Sequence, residues 1–193
     1  MADWFERVSL TGSRVHLVPL GPEHATGWLA GLTGPVAEHL SIGPPADRAG
    51  ALDQIATALT QADRVPFAQL SPAGEFLGST SFYDVDPGNR SLAVGYTWLA
   101  GTAQRSGVNR EAKLLLLTRA FDELGAVRVV WHTDERNARS RAAIAALGAV
   151  EEGRLRKHRR RRDGTWRTTV QFAMTDEDWP VAREGLTRGL ATG

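Results

Sequence analysis

The stretch Gln104-Arg105-Ser106-Gly107-Val108-Asn109 joins a strand-like segment ending at Trp98-Leu99 to a leucine-rich segment that begins at Asn109. A turn that enters a helix suits an anion, because the first helical amides have no partner within the helix and the helix dipole adds positive charge there. Gly107 lacks the Cβ that would hold a phosphate away from the backbone, and Arg105 adds a formal charge. The stretch therefore predicts an anion-binding turn between a strand and a helix.

Two well-known phosphate-binding motifs do not fit this turn. Gly107 is not followed by Lys-Ser or Lys-Thr, as a Walker loop requires, and the three-glycine spacing of a dinucleotide fingerprint is absent. Asn109 is a favourable N-cap residue and is expected to begin the helix. The turn therefore predicts an anion site that belongs to neither of these nucleotide-binding classes.

Composition indicates a single domain, residues 1–193, which is long enough to bury its own core. The absence of cysteine excludes disulfides, thiolate nucleophiles and Cys-ligated zinc, and it fits a reducing compartment. No segment has the apolar length of a signal peptide or a membrane span, so we expect a cytoplasmic protein without membrane contact. The formal net charge is only +1, but basic residues crowd into one short run: Arg154, Arg156, Lys157, Arg159, Arg160, Arg161 and Arg162.

Hydrophobic periodicity and turn residues predict alternating strands and helices on both sides of the turn. The predicted strands are 15–18, 66–70, 76–85, 91–99 and 127–133, followed by a hairpin of 150–162 and 166–174. The predicted helices are 23–32, 47–61, 109–124, 137–147 and 177–190. In the third helix the predicted buried face consists of Leu114, Leu117, Phe121 and Leu124. The order strand, helix, strand, helix from residue 91 onward implies a parallel strand pair near the middle of the sheet.

The order of these elements and several short motifs resemble the GNAT N-acetyltransferases, in particular their RimJ/RimL-like branch. The turn matches the family pattern Q/R-x-x-G-x-G/A at Gln104 and Gly107 and departs from it at Asn109. The other motifs are Val94-Gly95-Tyr96-Thr97-Trp98, Asn109-x-Glu111-Ala112-Lys113, Thr133-Asp134-x-x-Asn137-x-x-Ser140, Leu147-Gly148-Ala149, Glu152-Gly153-x-Leu155-Arg156 and Glu177-x-Trp179. The resemblance covers nearly the whole chain. It implies an α/β (α+β) fold with one mixed, mostly antiparallel sheet, a central splayed pair of parallel strands, and flanking helices.

The resemblance also implies a reaction and its site. Members transfer an acetyl group from acetyl-CoA to an amine by direct attack on the thioester, with no metal, and the branch acetylates protein N-termini and small amines. The implied pyrophosphate contacts are Gln104, Arg105, Ser106, Gly107, Val108 and Asn109. Backbone groups of Trp98 and Leu99 would pair with pantetheine and offer an N–H to the oxyanion. Asn137 would bind pantetheine and Ser140 would donate to the departing sulfur, although both residues also suit simple helix capping.

The acceptor and the base stay open at this stage. A ribosome-associated or peptide N-terminus, an amino acid and a small amine are all compatible with the resemblance, and so is a homodimer. The strand 91–99 contains no Asp or Glu, which excludes a carboxylate base there. The remaining base candidates are His132, Asp134, Glu152, His158 and a water relay, since an α-amino group with a pKa of ~8 is partly neutral already.

Two charged features carry further expectations. Glu111 lies in the first helical turn beside the expected pyrophosphate, and repulsion predicts that its side chain points away from the turn. The basic run 154–162 would place charge on both faces of a strand, which predicts an exposed, solvated edge. That edge could instead bind the CoA 3′-phosphate, an acidic acceptor or RNA, and the second hypothesis is a non-catalytic module of the same fold that binds CoA or an RNA-associated partner there. Members often carry Asp where this chain has Thr168, so acceptor choice is expected to differ.

Overall fold

The computed structural model of the chain describes residues 2–191, so the single domain predicted over 1–193 includes residues 1, 192 and 193, which lie outside the described part. One eight-stranded sheet has the order β1-β2-β3-β4-β5-β6-β8-β7. The strands are β1 Leu10–Thr11, β2 His16–Pro19, β3 Val65–Leu70, β4 Phe76–Asp86, β5 Ser91–Leu99, β6 Arg128–Asp134, β7 Val150–Arg160 and β8 Trp166–Thr175. The α-helices are α1 Ala25–Gly31, α2 Arg48–Thr60, α3 Val108–Thr118, α4 Ala138–Ala145 and α5 Trp179–Ala191. None of the described helices combines the length and apolarity that crossing a membrane requires.

The sheet is mixed, as the sequence predicts. Strands β5 and β6 form its parallel pair, and every other neighbouring pair is antiparallel. The parallel pairing covers only Ser91–Ala93 against Arg128–Val130, whereas β6 stays paired with β8 through Asp134. The second halves of β5 and β6 therefore separate, which confirms the predicted central splay.

A bulge in β5 accompanies this separation. Ser79 and Ser81 of β4 pair with Trp98 and Gly95, so two residues of β5 stand opposite one residue of β4. Tyr96 takes a positive φ of 50° there, a conformation in which non-glycine residues are uncommon. The extra residue turns Tyr96 onto the same face as Tyr83, whose ring it meets edge to face at 5.1 Å between centroids.

The helices cover both faces of the sheet. Leu17 packs with α3 and α5 whereas its neighbour Val18 packs with α1 and α2, as expected for alternating side chains of one strand. On α3 the buried residues include Leu116 and Leu117, and Phe121 and Leu124 beyond its end are buried as predicted. Leu114 is partly buried and packs against the same core cluster as Leu117, Phe121 and Leu124. An 11-residue α-helix followed by a π-helical segment, Arg119–Glu123, replaces the longer regular helix expected from the sequence.

The start of α3 also differs from the prediction. Gly107 is the N-cap residue at φ 82°, and the helix begins at Val108, so the prediction that Asn109 caps the helix was wrong. Glycine adopts this left-handed conformation without the penalty that a Cβ brings. The helix therefore begins at Val108, two residues earlier than it would with Asn109 as its N-cap.

The last two strands form the predicted hairpin, and β7 lies at the end of the strand order, which confirms the expected exposed edge. The strand ends at Arg160, two residues before the predicted limit. Pairing shifts between Leu155, opposite Thr169, and Arg159, opposite Arg167, so β7 carries two extra residues there. Regular alternation along the basic run is therefore broken, with Lys157 at φ 51°.

Candidate functional site

A cleft of about 660 Å³ lies over the splay between β5 and β6. Seven of the sequence-predicted site residues line it: Trp98, Leu99, Gln104, Arg105, Asn109, Asn137 and Ser140. Ser106, Gly107 and Val108 do not line it. We call the part formed by Gln104, Arg105, Asn109 and Arg139 the loop end, and the part formed by Tyr83, His132, Arg159 and Arg167 the hairpin end. The loop between α1 and α2 adds the wall from Pro35 to Ser41.

The turn before α3 is fixed by its own side chains. Gln104 donates from Nε2 to the Leu99 carbonyl at 3.1 Å and accepts from Arg139 at 2.8 Å, so it ties the turn to both β5 and α4. Ser106 Oγ donates to the Ala103 carbonyl at 2.6 Å. These contacts leave the first amides of α3 directed out of the helix end, the arrangement that favours an anion.

Several arginines lie around this turn. A Cβ on Gly107 would come within 3.3 Å of the Arg14 side chain, which also donates to the Leu190 carbonyl at 3.2 Å. Arg105 and Arg139 line the loop end itself. Sequence reasoning named Arg105 but missed Arg14 and Arg139, because only the fold brings the segment before β2 and the start of α4 next to the turn.

Asn137 and Ser140 meet at the start of α4 on the cleft wall. The Asn137 side chain accepts from the Ser140 amide at 2.9 Å and so caps the helix. The Ser140 hydroxyl has no hydrogen-bond partner within residues 2–191. Capping therefore accounts for Asn137 Oδ1, whereas the Ser140 hydroxyl remains available to a ligand.

Glu111 points away from the turn, as predicted. Its carboxylate accepts from the Ser13 amide and hydroxyl at 3.0 and 2.7 Å, from the Arg14 amide at 2.6 Å, and from the Val15 amide at 2.9 Å. Burial opposes ionisation of Glu111, but these hydrogen bonds hold its pKa below the ordinary carboxyl value. Glu111 thus fastens α3 to the segment before β2 and leaves the turn free of negative charge.

The two carboxylates among the base candidates are held in ion pairs. Asp134 accepts from Arg161 at 2.6 and 2.9 Å and from the Arg136 amide at 3.0 Å. Burial opposes its ionisation, yet Arg161 and the amide hold the Asp134 pKa below its usual range. Glu152 is paired with Arg128, which lowers the Glu152 pKa as well. Neither carboxylate has the raised pKa that would suit a base at neutral pH.

The two histidine candidates differ in how their ring nitrogens are used. Gln171 donates to Glu152, so its Oε1 faces His132 Nε2 at 3.2 Å and accepts from it, while the Tyr83 hydroxyl donates to His132 Nδ1 at 2.9 Å. Both nitrogens of His132 are therefore engaged, and burial lowers its pKa. His158 Nδ1 lies 3.1 Å from Thr169 Oγ1, and its Nε2 has no hydrogen bond within residues 2–191. Burial, followed by Arg159 and Arg167, lowers the pKa of His158.

Lys113 is a cleft residue that sequence reasoning did not single out. Its side chain is 5% exposed, and Nζ donates to Thr97 Oγ1 at 2.8 Å and to Thr80 Oγ1 at 3.4 Å. No carboxylate within residues 2–191 forms an ion pair with it, and burial lowers its pKa to about 7. The sequence feature that could have identified it is its position on α3: Lys113 follows Ala112 and lies three residues before Leu116, on the apolar side of the helix.

The basic run does not act as one surface. Arg161 is the ion-pair partner of Asp134, and Arg162 donates to the Ala37 and Ile42 carbonyls at 3.1 Å, which fastens the α1–α2 loop over the hairpin. Arg160 lies over the Trp166 ring at 4.9 Å, and Arg154 pairs with Glu151 at 3.0 Å. The run is therefore divided among structural contacts, the cleft and the solvent.

Comparison with known proteins gives a consistent family assignment. Residues 14–150 match the family described as the acetyltransferase (GNAT) domain. Over 83 residues, 43% of this chain and 45% of the other, the sequence is 35% identical to YdaF of Bacillus subtilis (strain 168), provisionally named a ribosomal N-acetyltransferase. The matched region thus spans less than half of that relative.

Solved structures match over nearly the full length. A provisionally named acetyltransferase from T. thermophilus is 35% identical, with 97% of this chain and 100% of that chain covered at a TM-score of 0.90. RimJ of Mycobacterium smegmatis, solved with CoA-disulfide, is 23% identical, with 96% and 95% covered at a TM-score of 0.79. At this lower identity the RimJ likeness concerns the fold.

Proposed function

The chain belongs to the GNAT acetyltransferases and is an acyltransferase, and from this premise we propose that it transfers an acetyl group from acetyl-CoA to a primary amine. The acceptor classes are a protein or peptide N-terminus, an amino acid and a small amine. The provisional name of YdaF supports ribosomal N-termini as one source, over the part of the chain that aligns.

The splay of β5 and β6 is the observation that carries this proposal. Beyond Ala93 and Val130 the facing edges of the two strands lack each other as partners and border the cleft. Open strand edges offer rows of N–H and C=O groups, and the two amides of a pantetheine arm can pair with such an edge as an added strand does.

The loop end supports phosphate binding. The α3 amides, the left-handed Gly107 and the side chains of Arg14, Arg105 and Arg139 together offer hydrogen bonds and charge to a pyrophosphate. Glu111, the acid nearest in sequence, is held elsewhere by the Ser13 to Val15 backbone. The loop end therefore fits the anionic half of CoA.

The chemistry needs few side chains. The amine nitrogen forms a bond to the acetyl carbon and loses one proton, the C–S bond breaks, and the thiolate takes up one proton to leave as CoA. The free hydroxyl of Ser140 on the cleft wall supports it as the donor to that sulfur, and the lining position of Trp98 and Leu99 supports their backbone groups as partners of the acetyl carbonyl. Of the four side-chain base candidates, His158 alone keeps a nitrogen without a hydrogen-bond partner in the described chain, so the proton leaves through water or through His158, whose ring centroid lies 6.0 Å from that of His132.

The alternative, a non-catalytic module that binds RNA along the basic run, has less support. Four of the seven basic residues have defined protein partners: Arg154, Arg160, Arg161 and Arg162. A nucleic-acid edge needs cations that are free to reach phosphates. Charge reversal at Arg161 would also break the Asp134 pair, so Arg156 and Lys157 are the sites at which RNA binding should be tested.

The experiment begins with calorimetric titration of acetyl-CoA, followed by thiol release with a panel of amines and N-terminal peptides. Gly107→Trp is expected to abolish acetyl-CoA binding, because an indole would fill the phosphate position beside Arg14. Gly74→Trp is the matched control, since Gly74 has nearly the same φ, 85° against 82°, but lies in an open turn with no heavy atom near its Cβ position. Both variants carry the same backbone strain, so equal loss of binding in both would contradict the loop assignment.

A further inference from the structure

Two arginines of the hairpin end lie side by side without an acidic partner. Arg159 of β7 and Arg167 of β8 are directly opposed in the strand register, and both line the cleft. Opposed residues of antiparallel strands project from the same face, and like charges in that position repel. The fold therefore holds two cations together at the hairpin end.

Neither arginine forms an ion pair within residues 2–191. Arg167 Nε is buried with no hydrogen-bond partner, and burial lowers the Arg167 pKa. Buried charges in proteins are normally paired, because an isolated one loses its hydration without compensation. Arg167 is thus a residue of the cleft lining that carries an unsatisfied hydrogen-bond donor.

None of the nearby acids forms an ion pair with either arginine. The negative charge of Asp134 acts to raise the Arg167 pKa, but both of its carboxylate oxygens accept hydrogen bonds from Arg161. Glu38, the other acid that lines the cleft, lies on the α1–α2 loop and forms no ion pair in the described chain. Asp84 is exposed beside Tyr83 and is likewise unpaired with either arginine. No acid of the described chain is thus paired with either arginine, which leaves the pair open to an anionic ligand.

The position of the pair indicates which ligand. The CoA phosphates are proposed to lie at the loop end, whereas Arg159 and Arg167 line the hairpin end of the cleft with Tyr83 and His132. Each guanidinium group is a planar fork of donors that matches the two oxygens of a carboxylate. We propose that Arg159 and Arg167 form a carboxylate-binding subsite, so that preferred acceptors carry a carboxylate close to the amine.

This proposal rests on the acetyl-transfer function proposed above and narrows its acceptor class. Two sources share the required chemistry: a free amino acid, and a peptide with an acidic residue next to its N-terminus. Each can be compared with a partner that lacks only the negative charge, namely the amino-acid amide and the peptide with the corresponding side-chain amide.

The test is thiol release at saturating acetyl-CoA with these matched pairs, in the wild type and in Arg159→Gln and Arg167→Gln. We expect the wild type to show a KM at least about tenfold lower for the acidic member, the range that a charge-assisted hydrogen bond supports. In both variants that preference should fall toward one while the KM for acetyl-CoA stays unchanged. Arg156→Gln, on the same strand but outside the cleft, is the control and should keep the preference.

A binding measurement separates recognition from turnover. Titration of the preferred amino acid into CoA-saturated protein should give heat in the wild type and in Arg156→Gln, and little in Arg159→Gln. If Arg167→Gln fails to fold, Arg167→Lys and Arg159→Gln still test the pair. Arg159 is exposed, and Arg167→Lys keeps the positive charge but loses the planar, bidentate donor group of arginine.

The outcomes distinguish failure of the carboxylate-binding subsite from failure of the acetyl-transfer function. Equal KM values for the acidic and neutral members in the wild type, or a preference that survives Arg167→Gln, would overturn the subsite and leave acetyl transfer standing. Absence of acetyl-CoA binding, or of thiol release with every amine, would overturn the proposed function and the subsite with it. Preference for only the free amino acids or only the acidic peptides would support the subsite and identify the source.

Discussion

Replacing Lys113 by methionine is expected to stabilise the protein at neutral pH. The ammonium is buried with only the Thr80 and Thr97 hydroxyls as partners. Methionine has similar length and no charge, and the two threonines keep their mutual hydrogen bond of 2.8 Å. The fall in pKa from 10.5 to about 7 corresponds to about 5 kcal/mol at 1.36 kcal/mol per pH unit. Relaxation and entry of water reduce this upper limit, so we expect a gain of about 2–4 kcal/mol.

The sign of the pH dependence follows from proton counting. Between pH 7 and about 10.4 the unfolded chain keeps the Lys113 proton while the folded chain has lost it, so the unfolded state binds more protons and stability rises with pH. Integration from pH 7 to pH 9 gives the wild type about 2 kcal/mol of added stability that Lys113→Met lacks. The advantage of the variant should therefore shrink as the pH rises.

The assay is urea denaturation at pH 7 and pH 9. With a slope of about 2 kcal/mol per molar urea, the change of about 2 kcal/mol shifts the difference between the two midpoints by about 1 M. The chain has two lysines, so Lys157→Met is the natural control, and its exposed position predicts no such shift. Lysine-specific isotope labelling adds a direct measurement, because one of only two side-chain signals should titrate near pH 7.

Two results would refute this reasoning. If both lysine signals titrated above pH 10, the cleft would hydrate Lys113 far better than its burial indicates. If Lys113→Met differed from the wild type by the same amount at pH 7 and pH 9, the stability change would come from packing alone and not from the buried charge.

Two further predictions concern α3 and α4. Glu111→Gln should lower the free energy of unfolding by about 2–5 kcal/mol in urea denaturation, because the amide group replaces an oxygen that accepts from two backbone N–H groups. Glu123→Gln is the control: it alters only an exposed pair with Arg119, and it should lower the free energy of unfolding by less than about 1 kcal/mol. The pKa of Glu111 is lower in the folded state than in the unfolded chain. The stability that its carboxylate contributes is therefore present above the unfolded pKa of ~4.3 and is lost as the pH falls through the folded pKa. The destabilisation caused by Glu111→Gln should accordingly become smaller in acid. Ser140→Ala should lower kcat for thiol release while acetyl-CoA affinity stays within about twofold, and an unchanged kcat would remove Ser140 from the reaction.

The order of elements could be predicted because each element carries a local pattern. Hydrophobic periodicity, glycine stops and turn residues are properties of short segments, and they located the five helices and the closing hairpin. The errors fall where the backbone departs from regular geometry. The Gly107 cap, the bulge at Tyr96 and the two extra residues before Arg159 each depend on contacts between segments that are distant in sequence.

More of the cleft was predictable at its loop end than at its hairpin end, where His132 was named as a base candidate and Arg167 was given no role. The turn 104–109 and the start of α4 carry recognisable spacing, and the fold brings Gln104, Asn109 and Ser140 to one cavity. No motif spacing predicted a role for Lys113 or Arg167, because the role of each depends on the groups that surround its side chain. A lysine without a carboxylate and an arginine without an acceptor can be recognised only when every neighbour is known.

The arginines of the closing hairpin illustrate the same limit within a single run of residues. From sequence, Arg159 and Arg161 are equivalent: the same residue type, two positions apart, on the same predicted face. In the structure Arg161 neutralises Asp134 and so removes the one acid that could have satisfied Arg167, whereas Arg159 stands opposite Arg167. The Arg161–Asp134 ion pair thereby leaves Arg167 without a carboxylate partner at the hairpin end. Asp134→Ala should then free Arg161 as a third cation near the cleft, and in the thiol-release assay it should increase discrimination between acidic and neutral acceptors, because one negative charge is removed and one unpaired positive charge is added.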